Sequence, residues 1–121
     1  MTAIERIHPS EAAEALAGLA GLDPRGMVTE ADIPAMCEHG TCLRVTEGSS
    51  SAVVVVCERN GVSWIEAAAG DGPDDLTRAI DDALIAAGAR ALAFQTARPG
   101  LVRRAKRLGY RVTGYIMRRD L

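Results

Sequence analysis

Runs of β-branched residues alternate along the chain with stretches whose apolar positions fall three and four apart, predicting a succession of strands and helices. Ala3 to Ile7 reads as a short strand, broken by His8-Pro9. Ser10 then caps a helix over Glu11 to Leu22, with Leu16, Leu19 and Leu22 along one side. Asp23-Pro24-Arg25-Gly26 reads as a turn. Thr29, with Asp32 three residues on, starts a second helix that ends at Gly40, and Pro34 in its first turns keeps it short or irregular. Leu43 to Glu47 reads as a strand and Gly48-Ser49-Ser50-Ser51 as a turn. Ala52 to Arg59, with its valine run Val53 to Val56, is too β-branched and too continuously apolar for anything except a strand buried on both faces.

Asn60-Gly61 is a two-residue hairpin signal, because a type I′ turn needs positive φ at both positions. Val62 to Ala69 is the return strand. From Asp74 to Ala87 the pattern turns helical: Leu76, Ile80 and Leu84 share one face, and Asp75, Arg78 and Asp82 the other. Gly88 is the expected stop. Ala89 to Thr96 reads as a strand reached by a strand–helix–strand crossover, hence parallel to Val62–Ala69. Pro99 opens a last helix, with Leu101, Ala105 and Leu108 inward and Arg103, Arg104 and Arg107 toward water. Tyr110 to Arg119 reads as a closing strand. The predicted order is β-α-α-β-β-β-α-β-α-β, an α/β domain spanning residues 1–121.

Composition narrows the function classes. With 121 residues, 48% of them apolar, the chain can bury a core without staples. No apolar run approaches the roughly 20 residues of a membrane-spanning helix. Met1 to Arg6 lacks the pattern of a signal peptide. Cys37, Cys42 and Cys57 are an odd number, which points away from a disulfide framework and toward a reducing cytoplasm. Charge is segregated: from Arg98 onward there are eight basic residues against one acid, while the first 97 residues hold six basics and fifteen acids. Such separation steers an anionic partner or lets two copies meet, acidic half to basic half.

The order of elements, and the tripeptide Leu108-Gly109-Tyr110 closing the last helix, resemble the Gcn5-related N-acetyltransferase (GNAT) superfamily. The specific likeness covers about Trp64–Leu121. The compact ending from Gly109 to Arg119 is similar to that of small bacteriophage-encoded proteins of GNAT type. The resemblance implies a mixed, strongly twisted sheet with helices on both faces. It also implies an acyl-CoA-dependent N-acyltransferase with acetyl-CoA as cofactor and an amine as acceptor. The strands matching Val62–Ala69 and Ala89–Thr96 then splay apart, and the pantetheine arm lies in the wedge along Ala68, Ala69, Gly70, Asp71 and Gly72. Backbone N–H groups at the start of the following helix receive the pyrophosphate. Glu66 lies on the strand that supplies a general base in many relatives, and Tyr115 is a substitute general acid.

Three departures weigh against that chemistry. The loop reads Gly70-Asp71-Gly72-Pro73-Asp74-Asp75, so the family pattern Gln/Arg-x-x-Gly-x-Gly/Ala survives only as Gly70-x-Gly72. Its three carboxylates stand where phosphates would go, each close like-charge contact costing on the order of 1 kcal/mol. The usual general-acid Tyr, five residues before the aromatic of the Gly-Phe/Tyr pair, is here Ala105. The closing segment is shorter than the family's final hairpin. Glu66 also reads as a solvent-facing residue of the strand alternation. A second function class therefore stands beside the enzyme: a non-catalytic binding or assembly module, within a phage particle or against a host protein.

Other constellations have plainer readings. Cys37-x-His39-x-x-Cys42 lacks a fourth zinc ligand at fixed spacing, and buried thiols are the default. The Arg103-Arg104-x-Lys106-Arg107 cluster reads first as a solvated helix face, then as a docking surface for an acidic protein or a second copy through residues 98–119. Too few aromatics accompany it for a nucleic-acid stacking platform.

Overall fold

The computed structural model describes residues 2–18, 29–96 and 98–121. Its strands are β1 (Thr2–Arg6), β2 (Thr41–Glu47), β3 (Ser50–Arg59), β4 (Val62–Asp71) and β5 (Leu92–Ala93). Its helices are α1 (Pro9–Ala15), α2 (Asp32–His39), α3 (Thr77–Ala86) and α4 (Pro99–Arg107). One sheet holds the strands in chain order, antiparallel from β1 to β4, with β5 parallel to β4.

The valine run is buried from both sides. Val53 and Val55 pack with Ala12, Leu16, Ile33, Cys37 and Cys42 on the α1–α2 face. Val54 packs with Val45, Leu76, Ala79 and Ala83 on the α3 face. Each fully buried valine is worth roughly 1.5–3 kcal/mol, which is what holds a helical layer against each face.

Local chemistry sets the helix ends. Pro9 is the first residue of α1, and its cap is His8, whose Nδ1 accepts from the Ser10 N–H at 3.1 Å, rather than Ser10 itself. Leu19, Leu22 and the 23–26 turn lie outside the described residues. The Thr29 N–H and hydroxyl both donate to the Asp32 carboxylate, at 2.7 and 2.9 Å, while the Asp32 N–H donates back to the Thr29 carbonyl. These bonds close a turn just ahead of α2, whose own cap residue, Ala31, makes no side-chain capping bond. They hold the exposed Asp32 carboxyl below the usual range, the Thr29 N–H contributing most. Pro34 is the third residue of α2, where no intrahelical donor is needed. Helix α3 begins at Thr77 rather than Asp74. Helices α3 and α4 end alike: Ala89 and Tyr110 donate back to Leu84 and Ala105, and Gly88 and Gly109 to Ile85 and Lys106.

Asn60 and Gly61 both take positive φ, 51° and 78°, as the hairpin signal requires. The hairpin they close is not regular. Val55 pairs with Ala67 and Val56 with Ile65, so Glu66 is the extra residue of a β-bulge. Ile65 packs on the α3 face whereas Ala67 and Ala69 pack on the α1–α2 face. The bulge switches which face the odd-numbered residues of β4 present.

Three expected boundaries are corrected. Gly48-Ser49 alone make the turn after β2, and Ser50 and Ser51 belong to β3. The strand expected over Ala89–Thr96 pairs, among the described residues, at Ser63↔Leu92 and Trp64↔Ala93 alone. The strand expected over Tyr110–Arg119 is not formed, and residues 111–121 are exposed. The physical reason lies at Tyr110. Its hydroxyl donates to Asp81 on α3 at 2.9 Å, and its ring meets Phe94 edge-on at 5.2 Å. The chain therefore leaves α4 anchored both to α3 and to Phe94, the residue just past β5, and makes no ladder pair beyond that point among the described residues.

At Gly61 an added Cβ would touch nothing, so only backbone conformation opposes substitution. Gly61→Val should therefore destabilise the fold by about 1–2 kcal/mol, the cost of a left-handed non-glycine residue. Urea denaturation should show a lower midpoint at unchanged slope; an unchanged midpoint would remove the type I′ turn.

Candidate active site

Beyond Trp64, β4 has no ladder partner among the described residues on the side away from β3, because β5 ends at Ala93. On that side the ladder is unfilled from residue 65 to 71 among the described residues, which is the place of the expected wedge. Side chains beside it are small: Ala67, Ala68, Ala69 and Gly70. Glu66 stands at the mouth of the wedge, two residues past the last pair and at the bulge. Its Oε1 accepts from Arg59 Nη2, with a quarter of the Glu66 side chain exposed. The Arg59 guanidinium lies 5.9 Å from the Trp64 ring, a cation–π contact that orients it.

The loop after β4 is locked onto the start of β3. Gly72 has φ +108°, and a Cβ there would fall 2.7 Å from Ser50 Cα. Only glycine fits such an approach. Ser50 is fully buried; its hydroxyl donates to Asp74 Oδ2 at 2.8 Å and accepts from the Asp74 N–H at 3.0 Å. Asp75 Oδ1 accepts from both the hydroxyl and the N–H of Thr77, at 2.6 and 3.0 Å. Its other oxygen accepts from Arg104 at 3.4 Å. These contacts, the Thr77 hydroxyl first, hold the Asp75 carboxyl below the usual range. The leading N–H of α3 is thus satisfied by the protein's own carboxylate.

Between α3 and α4 lies an open groove of about 440 Å³, lined by Arg78, Arg104 and Arg107 together with Glu47, Asp75 and Asp82. Its balanced charges give it no preference for an anion.

Of the sequence-predicted residues, Glu66 and the run Ala68, Ala69, Gly70, Asp71 and Gly72 line one edge and its continuing loop. Tyr115 is 89% exposed in the segment after α4, with no hydrogen-bond or ring partner among the described residues. Ala105 is buried, so the place of the family's acid holds a core methyl. Cys37 and Cys42 are buried together, the Cys42 thiol donating to the Cys37 carbonyl at 3.3 Å. Burial pushes the Cys37 thiol up to about 11, so it packs as a neutral group. His39 is exposed, and no cluster of three metal-capable side chains occurs among the described residues.

Sequence reasoning missed the Asp81–Tyr110 pair. Asp81 adjoins Ile80 and lies three residues before Leu84, so the helical repeat itself places it on the inner flank. Burial, above all, pushes its carboxyl up, against the Tyr110 hydrogen bond. The Tyr110 hydroxyl is likewise pushed above its ordinary range, first by burial and then by Asp81.

No family model and no curated protein sequence matches the chain. Solved structures do. A candidate acetyl transferase from Pyrococcus furiosus superposes with a TM-score of 0.62 at 10% identity, covering 100% of each chain. The aminoglycoside N-acetyltransferase AAC(6')-Iy, in complex with a CoA–acetylneamine bisubstrate analogue, superposes at 0.53 with 17% identity, covering 100% of this chain and 98% of that one. The same enzyme in complex with CoA gives 0.52 at 17% identity, covering 98% of each chain. At these identities the likeness is one of fold: the chain has the mixed α/β architecture of GNAT acetyltransferases.

The raised Asp81 carboxyl gives a signed prediction. Folding takes up a proton there, so the penalty for the buried charge is full at neutral pH and vanishes as pH falls below the unfolded carboxyl range, about 4. Asp81→Asn keeps an oxygen that accepts from Tyr110 and removes the charge. It should melt above the unmutated chain at pH 7, the gap closing toward about pH 4. A variant that melts lower at neutral pH would mean the charge is favourable there.

Proposed function

We propose that the chain is an acyl-CoA-dependent N-acyltransferase with an atypical phosphate loop. The observation that carries this reading is the open wedge beside residues 65–71, with a lone carboxylate at its mouth. An amide-bearing pantetheine arm can pair with free strand backbone as an added strand does, and the small side chains from Ala67 to Gly70 leave it room.

The fit is uneven. The edge suits the arm, but the loop does not suit a pyrophosphate. Thr77 already donates to Asp75, Asp74 is held by Ser50, and no basic residue occurs between Gly70 and Thr77. Phosphates would meet carboxylates at the one helix N-terminus facing them. In this reading Glu66 Oε1 accepts the proton of the acceptor amine, and Arg59 must first move off that oxygen. Tyr115 donates a proton only by swinging in from the exposed segment.

The internally satisfied loop specifically favours the second reading, a non-catalytic module of the same fold that works through its surfaces. Thermal melts with and without millimolar acetyl-CoA separate the two. A ligand at about a hundred times its dissociation constant stabilises the folded state by roughly 2.7 kcal/mol. Asp74→Asn combined with Asp75→Asn keeps the acceptor oxygens for Ser50 and Thr77 while removing two charges. We expect a small shift for the unmutated chain and a clearly larger one for the double variant. No shift in either would sink the acyl-transfer reading and leave the module.

A further inference from the structure

We infer that the Trp64 ring and the Glu66 carboxylate form a subsite for an aliphatic organic cation, an alkylammonium group, and that Arg59 is its built-in occupant, which an incoming cation displaces. The subsite's affinity for a cation stands by itself; its role as the place of the acceptor rests on the acyl-transfer reading.

The Arg59 guanidinium lies where a bound cation would. Across the ladder Arg59 pairs with Val62 and Cys57 with Trp64, so these four side chains share one face of the hairpin. From there Arg59 reaches back along β4, past its own ladder partner, to the Trp64 ring at 5.9 Å and to Glu66 Oε1. A ring face and a carboxylate around one charge is a pairing that holds organic cations, and tryptophan is the best of the rings for it. Trp64 is seated by ladder pairs to Cys57 and Ala93, and Glu66 is fixed at the bulge between Ile65 and Ala67. Arg59, by contrast, sits on a flexible arm at the last position before the Asn60-Gly61 turn, with 59% of its side chain open to water. The two receiving groups are held in place, and the occupant is free to leave.

Charge decides what replaces it. Arg59 is the single basic residue of the hairpin from 50 to 71, which also carries Glu58, Glu66 and Asp71. With the guanidinium swung away, the site keeps a carboxylate and a ring face and no positive charge, so it repels an anion. A neutral molecule gains neither the ion pair nor the cation–π contact. The closed arrangement is also weak enough to yield. An exposed ion pair and an exposed cation–π contact together favour it over the open one by about a factor of 10. A cation therefore binds the unmutated chain about 10-fold more weakly than a chain in which the site stands open. Arg59 acts as a threshold that keeps Glu66 paired until a cation of sufficient affinity arrives.

The test uses the full chain and reads the emission of Trp64, its single tryptophan, while n-butylammonium chloride is titrated in at constant ionic strength. The unmutated chain should respond saturably to n-butylammonium and not to n-butanol, which has the same alkyl chain without the charge. Arg59→Ala should lower the dissociation constant about 10-fold, whereas Arg59→Lys, which retains a competing cation, should stay near the unmutated value. Adding Glu66→Gln to Arg59→Ala should abolish the response, with circular dichroism of each variant showing that the sheet still folds. Equal dissociation constants in the unmutated chain and Arg59→Ala, an equal response to n-butanol, binding that survives Glu66→Gln, or no response in any form would each overturn the inference. No acetyl-CoA is present, so the outcome is separate from acyl transfer. Cation binding beside melts indifferent to acetyl-CoA would remove the acyl-transfer reading alone, and stabilisation by acetyl-CoA without a cation response would remove the subsite alone.

Discussion

Everything else in the molecule is arranged around one strand that cannot face water on either side. Val53, Val54 and Val55 need cover above and below, so helices must lie on both faces. The α1–α2 layer presses close enough that a Cβ on Gly40 would fall 2.6 Å from Val55 Cγ1. On the other face α3 brings Leu76, Ala79 and Ala83 down onto Val54, which fixes where its N-terminus lies. The loop feeding α3 must then close over the start of β3, and Ser50, fully buried, becomes its anchor. The position of the candidate site follows from burial, not from a ligand.

That anchoring sets structure against chemistry. A helix N-terminus offers unpaired N–H groups that an anion or the chain itself can satisfy. Here the chain does so through Asp75, with Arg104 from α4 balancing the carboxylate. The arrangement secures the start of α3 and links it to α4. It also occupies the leading donor of that helix and sets negative charge beside it, where a phosphate needs an open donor and positive potential. The open β4 edge retains the capacity for backbone pairing that the loop has given up.

How much of this was legible in the sequence follows from the range of each interaction. The β3 strand, the Asn60-Gly61 turn and the glycine stops after α3 and α4 depend on neighbours a few residues apart, and they stand as expected, whereas the helix expected from Thr29 begins at Asp32. The closing strand was expected from the order of elements and is absent; Tyr110 at its start is instead held by Asp81, 29 residues away, a contact that no local pattern displays. The bulge was hidden for another reason: Ala67, Ala68 and Ala69 are alike, so their order carries no phase of apolar and polar residues to betray a switch of face. At the candidate site, the spacing of the loop and the place of Glu66 were readable. The internal pairing of Asp74 and Asp75 was not, because it depends on Ser50 arriving from another strand.

The bulge also has a meaning in terms of parity. Ile65 pairs with Val56 and Ala67 with Val55, so Glu66 is a supernumerary residue between two correctly seated neighbours. Were the chain one residue shorter at that point, the ladder would become regular, Ile65 and Ala67 would keep their partners, and every side chain of β4 would remain on its present face. The hydrophobic core is therefore indifferent to whether this residue exists. Its carboxylate is an addition to a strand already complete without it, held at the one place along β4 where the sheet opens.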